Sequence, residues 1–471
     1  MAIEPATEVS DTSHRISRIE SGLVLETAPW REEYRPTTIL DRMEHYGIPG
    51  VSVAVINNGE IEWARGYGVR EAGKPDPVET DTIFQAGSIS KTATALAALR
   101  LVDMGILALD EDANTFLKSW QVPSNGPWQP RVTLRQLLSH TAGTTVNGFA
   151  GYHQEEEIPS LLQTLNGEKP ANNRAIYVNL IPGTQFRYSG GGTTIVQQML
   201  MDVTGKPFPD LMQELLLGPL GMVHSTFKQR LPGSHRSLTA SGHYWVRKEP
   251  VAGKWHVYPE MAAAGLWTTP SDLARMAIGI QRAKAGIPGS LLSKEIVEEM
   301  LTPQLSGRAG LGLLNLESTH DSVRFGHGGS THGYVAELAA YTTPQVGAAI
   351  MTNSFVGEPL IFEILRAIAQ EYGWPDAPAP KRIARIEPQL LDRYTGKYEF
   401  TRGTYWKVTR EGDTLLLHPA AQAAIDLHPR SNSEFFASIV DAEAAFTISQ
   451  GGLASEMILR QNGQEKSMKR V

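Results

Sequence analysis

Residues 84–110, with the sequence FQAGSISKTATALAALRLVDMGILALD, limit most strongly what this chain can fold into. Ser88 and Lys91 lie three residues apart where the pattern predicts a helix start, and apolar residues at helical spacing follow them. Residues three apart share one face of a helix, so the hydroxyl and the amine can meet. The stretch therefore predicts a helix with a paired serine and lysine in its first turn.

That pair has a chemical interpretation and a structural one. A serine hydroxyl needs a base to remove its proton, and a lysine is such a base only when its amine is neutral. Packing against apolar groups lowers a lysine pKa, and the free N–H groups of a helix start favour developing negative charge. The structural alternative is that Ser88 only caps the helix while Lys91 is solvated.

The same spacing occurs a second time, at Ser225 and Lys228. This copy follows the turn-rich residues 218–222, and no apolar helix comes after it. We therefore expect it to lie at the surface and to carry no chemistry.

Composition excludes several classes of function. The 471 residues carry a formal net charge of −7 and form no basic stripe, which disfavours nucleic acid as a partner. The absence of cysteine removes disulfides, thiolate metal sites and cysteine nucleophiles. We find no signal-peptide core and no run long enough to span a membrane, so a cytoplasmic protein is the simplest expectation. An exported chain numbered without its signal is the alternative, and the oligomeric state stays open.

The order of patterns predicts the domain organisation. Strand-like residues precede the Ser88 helix, a mostly helical stretch follows it, and strands return after residue 322, which implies one sheet built from both ends of a domain. Regular short strands near the end suggest a small antiparallel barrel. The predicted divisions are an arm (1–36), a large mixed domain (37–373), a Pro-rich linker (374–388) and the barrel (389–471).

Two further segments could complete a site. Tyr188 precedes three glycines that let a backbone approach closely, and its phenol could relay a proton beside a lysine; an ordinary packed tyrosine is the alternative. His327 is flanked by glycines on a predicted edge strand, along which a ligand could receive backbone N–H groups. A metal or structural histidine is the alternative there. We disfavour metal because His327 and His332 lack helical ligand spacing and no carboxylate cluster accompanies them.

The order Ser88-x-x-Lys91, Tyr188-Ser-Gly and His327-Gly-Gly resembles the serine β-lactamase-related family. That family includes class C β-lactamases, DD-peptidases, D-aminopeptidases and family VIII esterases. The resemblance covers roughly residues 37–371. Four secondary stretches are similar to the same family: 107–112, 137–143, 218–222 and 263–273.

The resemblance implies an α+β fold, with an antiparallel sheet flanked by helices, a helical subdomain, and a C-terminal lipocalin-like β-barrel. It implies no cofactor and no metal. The site residues carried over by this resemblance are Ser88 as acylated nucleophile, Lys91 and Tyr188 as general base pair, the N–H groups of Ser88 and Ser330 as oxyanion hole, His327 where many relatives have the lysine of a K-T-G strand, and Gly190, Gly328 and Gly329 along the substrate.

Two departures from the family pattern bear on the substrate. Gly190 stands where the family's Y-x-N motif has asparagine, although an alternative Tyr177-Val-Asn179 keeps the amide. His327 in place of lysine removes a fixed positive charge that suits the carboxylates of β-lactams and peptides. Both changes favour esters or neutral amides.

The sequence thus predicts a serine hydrolase that acts through an acyl-enzyme on a small ester, amide or short peptide, of the esterase or D-amino-acid peptidase type. The alternatives are an acyltransferase or transpeptidase that uses the same intermediate, a β-lactamase, and a binding module whose site is vestigial.

We expect Ser88→Ala to abolish turnover and Lys91→Ala nearly to abolish it, because general-base assistance is typically worth about 10²–10⁴-fold. Ser225→Ala should leave turnover unchanged. Steady-state kinetics on an ester substrate measures all three. An inactive Ser225→Ala beside an active Ser88→Ala would overturn the assignment.

Overall fold

The computed structural model describes residues 11–23, 27–29, 37–244, 249–305, 307–319, 322–375, 381–420, 424–437, 442–461 and 464–471. The chain divides into a first unit of residues 1–20 and 38–376 and a second of residues 21–37 and 377–471. Residues 376–380, the core of the predicted linker, lie outside the described residues. The predicted domain boundaries stay predictions.

Helices and strands alternate along the first unit before strands dominate the second. The helices are α1 Asp11–Ser21, α2 Ile39–Tyr46, α3 Ile89–Asp103, α4 Ala113–Phe116, α5 Leu134–Leu138, α6 Leu161–Asn166, α7 Gly190–Thr204, α8 Phe208–Met212, α9 Gly233–Arg236, α10 Met261–Ala264, α11 Pro270–Lys284, α12 Lys294–Leu301, α13 Glu358–Glu371 and α14 Pro388–Leu391, with a π-helical turn at Gln213–Leu217 and a 3-10 turn at Asp392–Tyr394. The strands are β1 Thr27–Pro29, β2 Gly50–Asn57, β3 Glu60–Gly68, β4 Phe84–Gln85, β5 Tyr152–His153, β6 His256–Val257, β7 Trp267–Thr268, β8 Leu314–Thr319, β9 Ser322–Thr331, β10 Tyr334–Tyr341, β11 Gly347–Thr352, β12 Lys381–Ile383, β13 Gly396–Thr401, β14 Thr404–Glu411, β15 Thr414–His418, β16 Ile425–Pro429, β17 Glu434–Ala437, β18 Ala442–Ile448, β19 Ala454–Gln461 and β20 Gln464–Lys469.

The first unit is built on an antiparallel sheet in the order β3-β2-β11-β10-β9-β8. Strands β2 and β3 come from before α3, whereas β8 to β11 come from the end of the unit, so the sheet joins both ends as predicted. The β2–β3 hairpin turns through Asn58 and Gly59, whose φ angles of 52° and 75° suit the Asn-Gly turn expected there. Together with its helices this sheet confirms the predicted α+β class.

Helix α3 is the buried centre of the unit. Its side chains from Ile89 to Leu99 are all buried, because the helix is apolar almost all round and packs against β9 and β10 on one side and α7 and α10 on the other. Its buried threonines are satisfied: Thr92 donates to the carbonyl of Gly312 and Thr94 to those of Ser90 and Ala262. The helix reaches the surface at its two ends, at the half-buried Ser88 before its first turn and at the exposed Asp103 in its last turn.

Strand β9, which carries His327, is internal to the sheet and not the edge strand that the sequence predicted. Pairing with β8 runs from Ser322 opposite Thr319 to Gly326 opposite Leu314. Beyond Gly326 the strand continues past β8, while β10 still pairs with it as far as Thr331. The unpaired strand edge that the sequence predicted for ligand binding is therefore present only in the second half of β9.

In the second unit, strands β13 to β20 form an eight-stranded antiparallel sheet in which each strand pairs with the next. The sheet closes where Tyr398 of β13 bridges Arg470 and the N–H of Val471 donates to the carbonyl of Lys397. Aromatic side chains, among them Tyr394, Phe435 and Phe446, fill its interior. The predicted antiparallel barrel is confirmed.

The weak periodicity of the N-terminal arm did not predict α1, in which Ile16 and Ile19 are buried. No helix among the described residues is both long and apolar enough to cross a membrane.

Candidate active site

The hydroxyl of Ser88 and the amine of Lys91 meet at the start of α3. Ser88 is the N-cap residue, but its side chain makes no capping hydrogen bond, which rules out the interpretation of Ser88 as a simple cap. Lys91 Nζ instead lies 3.0 Å from Ser88 Oγ and donates to the carbonyl of Ala263 at 2.8 Å. The helix has thus placed a potential nucleophile and a potential base in contact.

Lys91 is buried, with only 4% of its surface exposed. Burial lowers its pKa from 10.5 to about 7, because removal of water destabilises the ammonium form. A large fraction of the amine is therefore neutral near pH 7, as a proton acceptor must be. The alternative of a solvated Lys91 is wrong.

The phenol of Tyr188 also reaches the serine side chain. Burial raises the pKa of its phenol to about 12, and a hydrogen bond with the side chain of Ser88 opposes part of that rise. Its ring centroid is 5.0 Å from Lys91 Nζ. Tyr188 is therefore a neutral phenol that contacts the nucleophile and lies beside the base.

The backbone around Ser88 approaches β9 very closely. Gly87 has a φ of +51°, and a Cβ on it would lie 2.7 Å from Ser330 N. A Cβ on Gly329 would lie 1.9 Å from the carbonyl oxygen of Ala86 and 3.1 Å from Ser88 N. Only glycine permits this approach, in which the segment before Ser88 lies directly against the backbone of Gly329 and Ser330. In the described part of the chain, the Ser88 N–H donates to no protein group. An oxyanion hole requires preorganised backbone N–H donors that are free in this way.

His327 lies in β9 beside this site, 6.2 Å from Tyr188 between ring centroids. Burial, together with the nearby Lys91, lowers its pKa to about 3, so it is neutral at pH 7. Its Nδ1 contacts the carbonyl of Gly328 and must carry the proton, since a carbonyl only accepts. Its buried Nε2 is then an acceptor, without a partner among the described residues.

The glycines predicted along the substrate have neighbours of their own. A Cβ on Gly190 would lie 3.0 Å from the ring of Phe149 and 3.1 Å from the carbonyl oxygen of Asn147. The Gly190 N–H donates to that carbonyl at 2.8 Å, so the glycines at the start of α7 admit a loop of this chain. The side chain of Asn147 also contacts the segment of Tyr188, because its Nδ2 donates to the Tyr188 carbonyl at 3.2 Å. Gly328 pairs with Glu337 across the sheet.

Sequence reasoning missed His140, a buried residue whose ring centroid lies 4.4 Å from that of Tyr188. Burial, with smaller effects of Lys91 and His327, lowers its pKa well below 6.5. It stands within residues 137–143, which contributed to the resemblance as a stretch without a role. The sequence feature that could have indicated His140 is the position of a polar aromatic residue directly after an apolar helical run.

The alternative motifs that begin at Ser225 and Tyr177 do not join the contacts around Ser88. Ser225 is buried and not at the surface as predicted, because its Oγ bonds to Asp272 Oδ2 at 2.8 Å and Thr268 Oγ1 at 2.7 Å. Tyr177 is exposed, and the amide oxygen of Asn179 accepts a hydrogen bond from Arg187. Tyr188, and not Tyr177, contacts Ser88.

Among the described residues, no group of three or more histidine, aspartate or glutamate side chains is arranged to hold a metal ion.

The family profile described as Beta-lactamase matches residues 37–372. Penicillin-binding protein 4* of Bacillus subtilis (strain 168) is 24% identical over 450 residues, which cover 89% of this chain and 94% of that protein.

Solved structures share the fold. The octameric penicillin-binding protein homologue from Pyrococcus abyssi superposes with a TM-score of 0.63 at 23% identity, covering 92% of this chain and 98% of its own. The D-amino acid amidase from Ochrobactrum anthropi SV3 gives a TM-score of 0.55 at 21% identity, covering 70% of this chain and 96% of its own.

The pKa of Lys91 predicts a pH dependence for acylation of Ser88. Because the neutral amine is the active form, the second-order rate of labelling by a fluorophosphonate should rise with pH and level off above about 7. His327 and His140 stay neutral across this pH range, so their titration should not contribute to the rise of the labelling rate. A rate that is flat from pH 5 to 9, or that still rises towards 10.5, would contradict the assignment of Lys91 as base.

Tyr188→Phe keeps the ring and removes only the proton-carrying oxygen. We expect it to lower kcat for an ester by about 10²-fold or more, since proton transfer by a positioned group is typically worth about 10²–10⁴-fold. Tyr177→Phe is the matched control and should leave kcat within twofold. The opposite ranking, measured on the two purified variants, would move the site to the Tyr177 motif.

Proposed function

The chain belongs to the beta-lactamase family, and on that premise we propose that it is a serine hydrolase that forms an acyl-enzyme on Ser88 from small esters or amides. One observation carries the proposal: Ser88 Oγ is in contact both with a buried lysine amine whose pKa is about 7 and with a neutral tyrosine phenol. A binding module does not need its serine in contact with both a base and an acid.

In the first step, neutral Lys91 accepts the hydroxyl proton as Ser88 Oγ attacks the substrate carbonyl. The carbonyl oxygen becomes an oxyanion, which the backbone N–H groups of Ser88 and Ser330 stabilise. A preorganised donor of this kind typically contributes about 10²–10³-fold to kcat.

In the second step the tetrahedral intermediate collapses and the bond to the leaving group breaks. The phenol of Tyr188 donates its proton to the departing oxygen or nitrogen, and the ammonium of Lys91 returns a proton to the phenolate. Water then repeats the sequence on the acyl-enzyme: the same groups take its proton, and Ser88 leaves with a proton restored.

The charge of the site favours neutral substrates. His327 carries no charge at pH 7, so the position lacks the fixed cation that would bind a substrate carboxylate. Phe149 and Asn147 occupy the space where a side chain at Gly190 would lie. Both features support esters and neutral amides over penicillins.

D-amino-acid amides are a second candidate substrate class, and the structural similarity to a D-amino acid amidase favours them. Such a substrate would place its leaving nitrogen near Tyr188. The same acyl-enzyme also allows transfer to an added amine or alcohol, which product analysis with such a nucleophile would detect.

The test is intact-mass detection of an adduct on Ser88 after incubation with p-nitrophenyl esters, D-amino-acid amides and nitrocefin, with Ser88→Ala as the blank. We expect kcat/KM for short-chain p-nitrophenyl esters to exceed that for nitrocefin by orders of magnitude. An ester needs little proton assistance to its leaving group, whereas nitrocefin hydrolysis also requires recognition of a carboxylate.

Efficient hydrolysis of nitrocefin with poor turnover of esters would identify a β-lactamase instead. Absence of both turnover and an adduct with every substrate class would favour the vestigial module.

A further inference from the structure

His140 is a buried histidine to which the proposed mechanism gives no step. It comes directly after Ser139, the C-cap residue of α5. Its φ of +58° is a left-handed conformation that is uncommon outside glycine. Its side chain is 4% exposed. A residue held in such a conformation in the interior indicates that the surrounding contacts require it.

Three contacts link His140 to the segment that carries Tyr188. The carbonyl of His140 accepts a hydrogen bond from the Arg187 N–H at 2.8 Å, and its Nδ1 accepts one from the Ser189 N–H at 3.2 Å. Between these two bonds, its ring lies against the ring of Tyr188 at an interplanar angle of 40°. One histidine therefore holds the residue before Tyr188, the residue after it, and the aromatic ring itself.

The hydrogen bond from Ser189 also determines the protonation of His140. Because Nδ1 accepts an N–H, the ring proton must be on Nε2 and the imidazole is neutral. Burial near Lys91 and His327 keeps it so. His140 therefore adds no charge beside Lys91.

Tyr188 depends on such contacts because it is in neither a helix nor a strand. It precedes Ser189, the N-cap of α7, at the end of an irregular segment in which Phe186 is 47% exposed. A displacement of about 1 Å at a catalytic group can cost about 10²-fold in rate.

We propose that His140 is a positioning residue, which sets the phenol of Tyr188 against Ser88 by holding the backbone on both sides of it. The inference rests on the proposed function, in which Tyr188 transfers the proton to the leaving group. It predicts that His140 controls kcat through Tyr188 and has little effect on substrate binding.

The test compares His140→Gly with His140→Asn, because both residues tolerate the left-handed conformation and both lack the ring. They differ in the acceptor, since the Asn side-chain oxygen can take the place of Nδ1. We expect His140→Gly to lower kcat about 10- to 100-fold with KM nearly unchanged, and His140→Asn to restore most of the loss.

Leaving-group dependence gives a readout that a structural role would not change. For an ethyl ester and a p-nitrophenyl ester of the same acid, His140→Gly should depress the ethyl ester more, because ethoxide needs a donated proton. In a Tyr188→Phe background, His140→Gly should change kcat less than twofold. His243→Asn, which alters another buried imidazole that accepts a backbone N–H, should lower thermal stability only.

Equal losses for both esters, or full additivity with Tyr188→Phe, would overturn the proposal and leave His140 a purely structural residue. If the wild-type protein neither turns over these substrates nor forms an adduct on Ser88, the proposed function fails instead. Crystal structures of the two variants then decide the positional claim: Tyr188 should shift in His140→Gly and stay in place in His140→Asn, and an unmoved Tyr188 in both would refute it.

Discussion

Burial of the Lys91 amine among uncharged groups is the constraint on which the rest of the site depends. Its described polar contacts are the Ser88 hydroxyl and the Ala263 carbonyl, neither of which carries a charge that would hold the proton. A carboxylate in contact would raise the pKa of the lysine and remove its capacity as a base. Glu260, three residues before Ala263, is itself buried with a pKa raised to about 8, so it is mostly uncharged near neutrality.

The uncharged character extends to the two histidines near Tyr188. His140 and His327 both have lowered pKa values, chiefly because they are buried, and each presents one ring nitrogen to a backbone group. Their neutrality keeps further positive charge away from Lys91. Histidines often change charge between pH 6 and 8, but these two keep the same charge over that range.

Close backbone approach is the second requirement. Strand β9 can lie against the segment before α3 only because Gly87 and Gly329 carry no side chain, and the start of α7 can receive the loop of Asn147 for the same reason. The sequence predicted that a backbone would approach the glycines after Tyr188, and the structure identifies that backbone as a loop of the same chain. Glycine in a sequence indicates that a neighbour comes close, but not which neighbour.

The sequence by itself determined the sheet built from both ends, the barrel and the Ser88–Lys91 contact, because helical periodicity, turn chemistry and the i, i+3 relation are local properties. The α+β class followed from the resemblance to the serine β-lactamase-related family. The sequence also named Tyr188 and His327 from their glycine-rich surroundings. Only the tertiary structure decided that Tyr188 and not Tyr177 contacts the serine, that β9 is internal, that Ser225 is buried, and that His140 braces the tyrosine. Each of these depends on contacts between residues far apart in the chain, such as Ser88 with Tyr188 or Ser225 with Asp272, and no local pattern specifies which distant segments meet.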